Sequence, residues 1–232
     1  MRSRSLLLTR RAWWLVLCLG LLPLLHLVWL TWQDGLGANP AEYLIRTTGD
    51  WTLRGLCLGL AITPLRVQCG WPELARFRRM LGLLTYLYAC LHLTCYALFD
   101  MGLDLQEIAV DVLKRPFIWV GVSAWLLLSV MAATSFNRAV RWLGGARWRA
   151  LHRVVYGVAV LAILHFWWMR AAKSNFNEVI VYALILASLL GWRVHRGLFQ
   201  RRAPGVESAA RSLVAQISGG KPCNTAGLDA QI

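Results

Sequence analysis

Long apolar stretches separated by short polar segments dominate this chain from near its first residue to about position 200. Most of them have about the 20 residues that an α-helix needs to cross the roughly 30 Å hydrocarbon core of a bilayer. The second stretch is shorter and carries Arg54 near one end, where a long side chain can reach the interface. The pattern predicts an all-α, polytopic membrane helix bundle with six transmembrane helices, at 12–32, 51–66, 80–99, 116–135, 150–169 and 179–192.

The charged residues between the apolar stretches predict the orientation of the helices. The chain has 25 Lys and Arg against 11 Asp and Glu, a formal net charge of +14. Basic residues concentrate in the N-terminal segment, the second and fourth loops and the tail, whereas acidic residues concentrate in the first and third loops. Because basic loops stay in the cytoplasm, both termini are predicted to be cytoplasmic. Nucleic-acid binding is excluded, since no basic helix with polar faces is present to lie on phosphate.

The rest of the sequence divides into one membrane domain and a tail. Residues 1–200 are predicted to form the domain, and the Gly-, Ser- and Ala-rich residues 201–232 a disordered cytoplasmic tail. The first apolar stretch is longer and richer in Trp than a secretory signal, so it is predicted to be a retained span. The acidic loop 100–115 is predicted to contain a short amphipathic helix at the interface. None of the six cysteines forms a CxxC pair, which excludes a disulfide framework and a zinc site.

Two histidines fall at the same depth in two predicted spans. Spans 80–99 and 150–169 both run from the cytoplasmic to the outer side, so His92 and His165 both lie in outer halves. A titratable imidazole in hydrocarbon is costly and usually has a partner. Two neutral imidazoles at equal depth on facing helices can bind a haem iron axially from opposite sides. A polar contact between helices is the alternative, and Met169 is retained as another axial candidate.

His152 lies at the cytoplasmic end of the fifth predicted span, thirteen residues before His165. On a continuous helix the two side chains point roughly 140° apart, so they do not address two haems along one face without local distortion. The matching position on the third span holds Arg78 or Arg79 instead of a histidine. His152 therefore ligates a haem together with another group, contacts a flavin or quinone, or is an interfacial histidine bonded to backbone or lipid. His26, in the first span, is open between a ligand and a packing residue.

Several short motifs resemble one family in their order and spacing. They are GLGANP at 35–40, ITPL at 62–65, RRMLGL at 78–83, LHLTCYAL at 91–98, RP at 115–116 and LGGARWRALHRVVY at 143–156. Together, over about residues 12–200, they resemble the MsrQ (YedZ) family, the haem-binding membrane subunit of a bacterial methionine-sulfoxide reductase system. That family lies within the ferric-reductase-like transmembrane group. The usual pair of histidines on each of two helices is interrupted here at Arg78 and Arg79.

The resemblance implies b-type haem and FMN as cofactors, with His92, His152 and His165 as the functional, metal-binding histidines. It implies electrons drawn from the quinone pool and passed across the bacterial inner membrane to a periplasmic molybdenum-cofactor subunit, MsrP, in a heterodimer. The partner would reduce methionine sulfoxide in oxidised envelope proteins, so this chain would be an electron-transfer subunit. For FMN the sequence offers no Gly-rich phosphate loop. Arg78 and Arg79, cationic at the predicted cytoplasmic rim, are the candidates for binding an anionic phosphate or headgroup, with ordinary interfacial anchoring as the alternative.

Two other classes of function stay open on the residues alone. One is a transporter or haem-export protein without a redox role, in which the histidines handle a substrate or protons. The lack of inverted repeats and of acidic residues within the predicted spans argues against it. The other is a structural anchor for a partner enzyme. A visible b-type haem band that dithionite reduces would separate electron transfer from both.

Overall fold

A computed structural model describes residues 10–171 and 176–217 of the chain. Within these ranges all regular secondary structure is helical, as the hydrophobic pattern predicts. A 3-10 helix, Pro72–Arg76, precedes the third α-helix, and a π-helical turn, Tyr96–Asp100, follows it. The α-helices are α1 (Arg10–Trp32), α2 (Pro40–Gln68), α3 (Phe77–Cys95), α4 (Leu105–Lys114), α5 (Pro116–Ala133), α6 (Asn137–Leu143), α7 (Gly145–His152), α8 (Val155–Ala171) and α9 (Asn177–Ile217).

Five helical segments in the described ranges are long and apolar enough to cross a membrane. Large apolar side chains on them, such as Trp29, Leu126 and Leu184, are more than half exposed, at 56%, 53% and 65%. Exposure of this kind along whole helices fits a surface that faces lipid. The chain is therefore a multi-pass membrane protein. The five segments are Arg10–Trp32, Pro72–Asp100, Pro116–Ala133, Gly145–Ala171 and Asn177–Gly197.

Helix α2 contains the remaining predicted span, 51–66, but begins at Pro40. The side chain of Asn39 caps it, because its Oδ1 accepts a hydrogen bond from the Glu42 backbone N–H at 3.1 Å. Pro40 occupies the first helical position, where its missing N–H removes no hydrogen bond. As a result, Asp50 lies within a helix and not in a loop.

The 29 residues of α2 are long enough to span a bilayer, but the helix is not among the five segments that are also apolar enough. It carries five charged side chains, at positions 42, 46, 50, 54 and 66. The sixth span and the cytoplasmic placement of both termini therefore stay predictions.

The predicted fifth span is broken near its N-terminal end. Helix α7 ends at His152 and α8 begins at Val155. Between them the Arg153 and Val154 N–H groups bond three residues back, to Ala150 at 3.2 Å and Leu151 at 3.0 Å. A tighter turn of this type changes the rotation along the chain. The angle of about 140° expected between His152 and His165 on a continuous helix therefore does not apply.

Two helix pairs form the core of the bundle. Helix α2 packs mainly on α3, and α5 packs mainly on α8. The pairs meet where α3 contacts α5, and there Trp125 Nε1 donates to Cys90 Sγ at 3.4 Å. Helix α1 packs on the α3 side, where Tyr88 donates its hydroxyl hydrogen to the Gly20 carbonyl at 2.8 Å. Buried side chains of both pairs form one cluster; they include Leu53, Leu56, Ala89, Leu128, Val158 and Phe166.

The acidic loop contains the predicted amphipathic helix, α4. Asp104 caps it by accepting hydrogen bonds from the backbone N–H groups of Gln106 at 2.8 Å and Glu107 at 3.0 Å. The hydroxyl of Tyr96 donates to Asp111 at 2.8 Å and so ties α4 to the end of α3.

The chain divides into two compact units, Met1–Leu189 and Leu190–Ile232. In the second unit the described residues continue α9 to Ile217. The predicted domain boundary at residue 200 and the disorder of the tail stay predictions, and residues 218–232 lie outside the described ranges.

Candidate functional site

A cavity of about 810 Å³ lies among α2, α3, α5 and α8. Buried apolar side chains of the core, such as Leu56, Leu128 and Val158, form part of its wall. Both His92 and His165 also line it. Its volume falls in the range of about 300–1,000 Å³ that is typical of small-molecule and cofactor sites.

His92, on α3, is oriented by the backbone of α2. Its Nδ1 lies 2.8 Å from the carbonyl oxygen of Ile45. A carbonyl only accepts, so Nδ1 carries the proton and Nε2 keeps a free lone pair. The ring lies against Gly49, where a Cβ would come within 3.1 Å of Nδ1. Gly49 is one helical turn after Ile45, so its missing side chain opens the way to that carbonyl.

His165, on α8, repeats this arrangement against α5. Its Nδ1 lies 2.8 Å from the carbonyl oxygen of Phe117. A Cβ on Gly121, again four residues further along, would lie 2.9 Å from both Nδ1 and Cε1 of the ring. By the same reasoning, Nδ1 of His165 carries the proton and Nε2 is available as a ligand. Each helix pair therefore holds one neutral imidazole, and a backbone carbonyl fixes its tautomer.

The two imidazoles have the separation of two ligands on one metal ion. Their ring centroids are 6.2 Å apart and the ring planes are inclined at 84°. An imidazole nitrogen binds a metal at about 2.0–2.1 Å, so two rings on opposite sides of one metal have centroids roughly 6–6.5 Å apart. The pair fits this value.

The two histidines suit a metal ion whose other ligands are supplied by a cofactor. No group of three or more His, Cys, Asp or Glu side chains in described positions is arranged to hold an ion. Two imidazoles leave most coordination positions of a metal unfilled. Haem iron needs only two axial ligands from the protein, because the porphyrin supplies the other four. The residues of the cavity therefore fit a haem held between His92 and His165.

His152 lies apart from this pair and does not line the cavity. Its ring is 4.1 Å from that of Trp148, and its Nε2 is 3.3 Å from Thr134 Oγ1. The Thr134 hydroxyl donates to the Val130 carbonyl at 2.8 Å, so it accepts from His152 Nε2–H. His152 therefore has the opposite tautomer to the cavity pair, with Nδ1 as the free nitrogen.

The two arginines assigned to a phosphate also lie outside the cavity lining. Arg79 donates from Nη1 to Asn137 Oδ1 at 2.8 Å. Arg78 is close enough to His152 for their charges to interact. The structure thus brings together His92 and His165 and groups Arg78 with His152.

Neighbours at helical spacing from the two histidines also line the cavity: Ala89 and Tyr96 on the face of His92, and Ala162 and Met169 on the face of His165. His26 is exposed on α1, with its ring 6.0 Å from that of Trp29.

The hydrophobic pattern along the chain does not predict the roles of Gly49 and Gly121 or the charged lining of the cavity. A glycine inside a helix costs up to about 1 kcal/mol relative to alanine, so its presence is itself a signal of close packing. The charged side chains could not be assigned because they come from four separate segments. They are Glu42, Arg46, Asp50, Asp100, Arg115 and Arg170.

Comparisons with other proteins identify similar chains. Residues 17–163 match the family model described as "Ferric reductase like transmembrane component". The chain is 59% identical over 180 residues to the "Protein-methionine-sulfoxide reductase heme-binding subunit MsrQ" of Polaromonas naphthalenivorans (strain CJ2), covering 78% of this chain and 82% of that protein. It is 50% identical over 205 residues to the identically named protein of Ralstonia nicotianae (strain ATCC BAA-1114 / GMI1000), covering 87% and 93%. No solved structure matches the chain.

Proposed function

We propose that this chain, which belongs to the MsrQ family of haem-binding subunits within the ferric reductase like transmembrane components, is a b-type haem protein that conducts electrons. In this proposal it takes electrons from membrane quinones and passes them across the bacterial inner membrane to a periplasmic partner, MsrP. The partner reduces methionine sulfoxide in oxidised proteins. The observation that carries the proposal is the pair of imidazoles in one cavity, with ring centroids 6.2 Å apart and each Nδ1 bonded to a backbone carbonyl.

The residues of this chain would hold the haem without a covalent link. His92 and His165 would hold the iron through Nε2, while the carbonyls of Ile45 and Phe117 hold the rings in place. Buried apolar side chains such as Leu56, Leu128 and Val158 would form the apolar part of the wall around it. No cysteine of the chain stands in a CxxCH motif, which supports a b-type rather than a c-type group. When bound, haem supplies reversible one-electron chemistry.

Two features support electron conduction over transport of a cargo. Both imidazoles are fixed by backbone carbonyls and by helix packing, which suits a resident group. The names of the relatives describe a subunit of a reductase, which supports placing the sulfoxide reduction in a separate partner chain. The quinone source, the heterodimer with MsrP and the inner-membrane location are parts of the same proposal.

FMN remains a proposal that rests on the family resemblance. Arg78 lies near His152, whereas Arg79 is bonded to Asn137.

The test is the visible spectrum of purified His92→Ala and His165→Ala proteins. Each substitution removes one of two axial ligands, so we expect haem content to fall by about tenfold or more, since even outer-shell changes at metal sites cost that much. His26→Ala is the matched control, because this exposed histidine lies on α1 outside the cavity lining. Wild-type haem content and an unshifted low-spin spectrum in both cavity variants would refute the axial assignment.

A further inference from the structure

Arg54, on α2, is an exposed cation at a depth where a bilayer is apolar. Its guanidinium lies 4.7 Å from the centre of the Trp51 ring, and that ring stacks on Tyr88 with ring centroids 6.2 Å apart. Tyr88 is close to the middle of the 29-residue apolar segment Pro72–Asp100, roughly 18 Å of helix from the C-terminal end of that segment. The guanidinium is therefore near mid-depth, further inside than the interfacial position that the sequence pattern predicts for it.

The exposed side of Arg54 faces the lipid. Arg54 does not line the cavity that holds the two histidines. One turn further along the same face of α2, Leu58 is 55% exposed, and on α9 the neighbouring Val181 is 54% exposed. A charged side chain at this depth is costly, and it commonly marks the path of a substrate or an ion. A molecule that moves within the bilayer can therefore reach the guanidinium directly.

Arg54 and Tyr182 form one group of hydrogen-bond donors. Arg54 Nε donates to the hydroxyl oxygen of Tyr182 at 3.0 Å. Among the described residues, neither the terminal nitrogens of Arg54 nor the hydroxyl hydrogen of Tyr182 has an acceptor in a hydrogen bond, and Arg54 forms no salt bridge. A guanidinium has donors only, and it stays charged at any accessible pH. The pair therefore suits a ligand that presents an oxygen acceptor from the lipid side.

The aromatic ring of Phe166 connects this donor pair with the candidate haem cavity. Its centroid is 6.3 Å from that of Tyr182, and the two rings meet edge to face. Phe166 lines the cavity and directly follows His165 on α8. One layer of aromatic side chain thus separates the donors from the site of the two histidines.

We infer that Arg54 and Tyr182 bind a carbonyl oxygen of a membrane quinone. This inference rests on the proposed function, which draws electrons from membrane quinones. A quinone headgroup is neutral, moves within the hydrocarbon and presents carbonyl oxygens, which only accept hydrogen bonds. A lipid phosphate is the other oxygen acceptor of a bilayer, but it lies at the interface, beyond the roughly 15 Å that separate the middle of the hydrocarbon from its edge.

The experiment measures quinone binding to the full-length, haem-loaded protein in phosphatidylcholine nanodiscs. The probe is radiolabelled decylubiquinone, a short-chain benzoquinone, and empty nanodiscs correct for its partition into lipid. We expect saturable binding to wild type. Arg54→Leu should weaken it about 10- to 100-fold, the range of one hydrogen bond to a charged group. Tyr182→Phe, which keeps the ring and removes the hydroxyl, should weaken it about 2- to 10-fold.

Arg66→Leu is the matched control, because Arg66 is a cation in the last turn of the same helix, about three turns from Arg54. It should keep the wild-type affinity for the quinone. An unchanged low-spin haem spectrum shows that a variant is folded. If Arg54→Leu loses that spectrum, Tyr182→Phe decides the question.

The outcomes separate the site from the proposed function. If wild type binds no quinone beyond empty nanodiscs, the quinone source in the proposed function is wrong, and the site with it. If wild type binds saturably and the variants at residues 54 and 182 bind as tightly, the site is wrong and the quinone source stands. An equal loss in Arg66→Leu would also overturn the site, because affinity would then follow net charge.

A second arm tests the lipid alternative. Part of the phosphatidylcholine is replaced by anionic phosphatidylglycerol, and the quinone titration of wild type is repeated. We expect the affinity to stay within about twofold of its value in phosphatidylcholine alone. Competition by phosphatidylglycerol that disappears in Arg54→Leu would identify a site for lipid phosphate and overturn the quinone assignment.

Discussion

The smallest repeated unit of the candidate site is an imidazole, a carbonyl and a glycine on two neighbouring helices. It occurs as His92, Ile45 and Gly49, and again as His165 with Phe117 and Gly121. In each case the carbonyl already accepts the helical hydrogen bond from the glycine N–H, and the missing Cβ lets the imidazole approach the same oxygen. The arrangement fixes a tautomer and a ring direction at once.

The glycines should therefore control haem binding without touching the metal. A Cβ at residue 121 would lie 2.9 Å from two atoms of His165, and one at residue 49 would lie 3.1 Å from His92 Nδ1. We expect Gly121→Ala to displace the ring and lower haem affinity about tenfold or more, with a smaller loss for Gly49→Ala. Haem titration monitored by the Soret band measures both effects.

Gly59→Ala is the control for these variants, because Gly59 lies on α2 and a Cβ at this residue would meet no atom within 4 Å. It should keep wild-type haem affinity and stabilise the helix by up to about 1 kcal/mol. Unchanged haem affinity in Gly121→Ala would show that the glycine does not position the ring.

At the scale of elements, the pairing of α2 with α3 depends on a close approach of small residues. A Cβ on Gly55 would lie 2.6 Å from Thr85 Oγ1 but 3.4 Å from Thr85 Cβ, so the hydroxyl is the atom that fills the space. The same hydroxyl donates to the Leu81 carbonyl of its own helix at 2.8 Å. Small residues that allow helices to approach are a common means of packing within membranes. This contact lies within the helix pair that carries His92.

A double-mutant cycle tests this contact. Gly55→Ala should destabilise the protein by roughly 1–3 kcal/mol through overpacking. In a Thr85→Ala background the clashing oxygen is absent, so the same substitution should cost at least about 1 kcal/mol less. Thermal unfolding in detergent, followed by tryptophan fluorescence, gives both values. Strict additivity would mean that the two helices do not meet at these residues.

At the scale of the whole molecule, the topology depends on whether α2 crosses the bilayer. Helix α2 carries charged residues and is not one of the five segments that are apolar enough to span. Its partner α3, however, belongs to one of those segments, and α2 supplies the Ile45 carbonyl that orients His92. The positive-inside rule places the loop before α2 outside the cell membrane and the loop after it inside. The chain offers an exposed cysteine, Cys69, in that second loop.

Labelling with a membrane-impermeant maleimide decides the topology. Two variants are needed, one with Cys69 as its only cysteine and one with only Ala38→Cys, at an exposed position before α2. We expect the residue at 38 to label in intact spheroplasts and Cys69 only after permeabilisation. Labelling of both from the same side would show that α2 does not span the membrane.

The sequence by itself determined the helical class, the multi-pass membrane character, the amphipathic α4 and the family. Hydrophobic length, loop charge and helical period are local properties, so they can be read without knowing which helices touch. They also predicted His92 and His165 at one depth, because depth depends only on the orientation of each span and the distance along it. The role of the two histidines as ligands stays a prediction.

Only the tertiary structure decided the contacts that make a site from these residues. The carbonyls of Ile45 and Phe117, the glycines one turn beyond them, and the hydrogen-bonded pair of Arg54 and Tyr182 come from helices far apart in sequence. Their meeting depends on how each helix is rotated about its axis and against which neighbour it packs. Hydrophobic periodicity fixes neither quantity when almost every face of a helix is apolar.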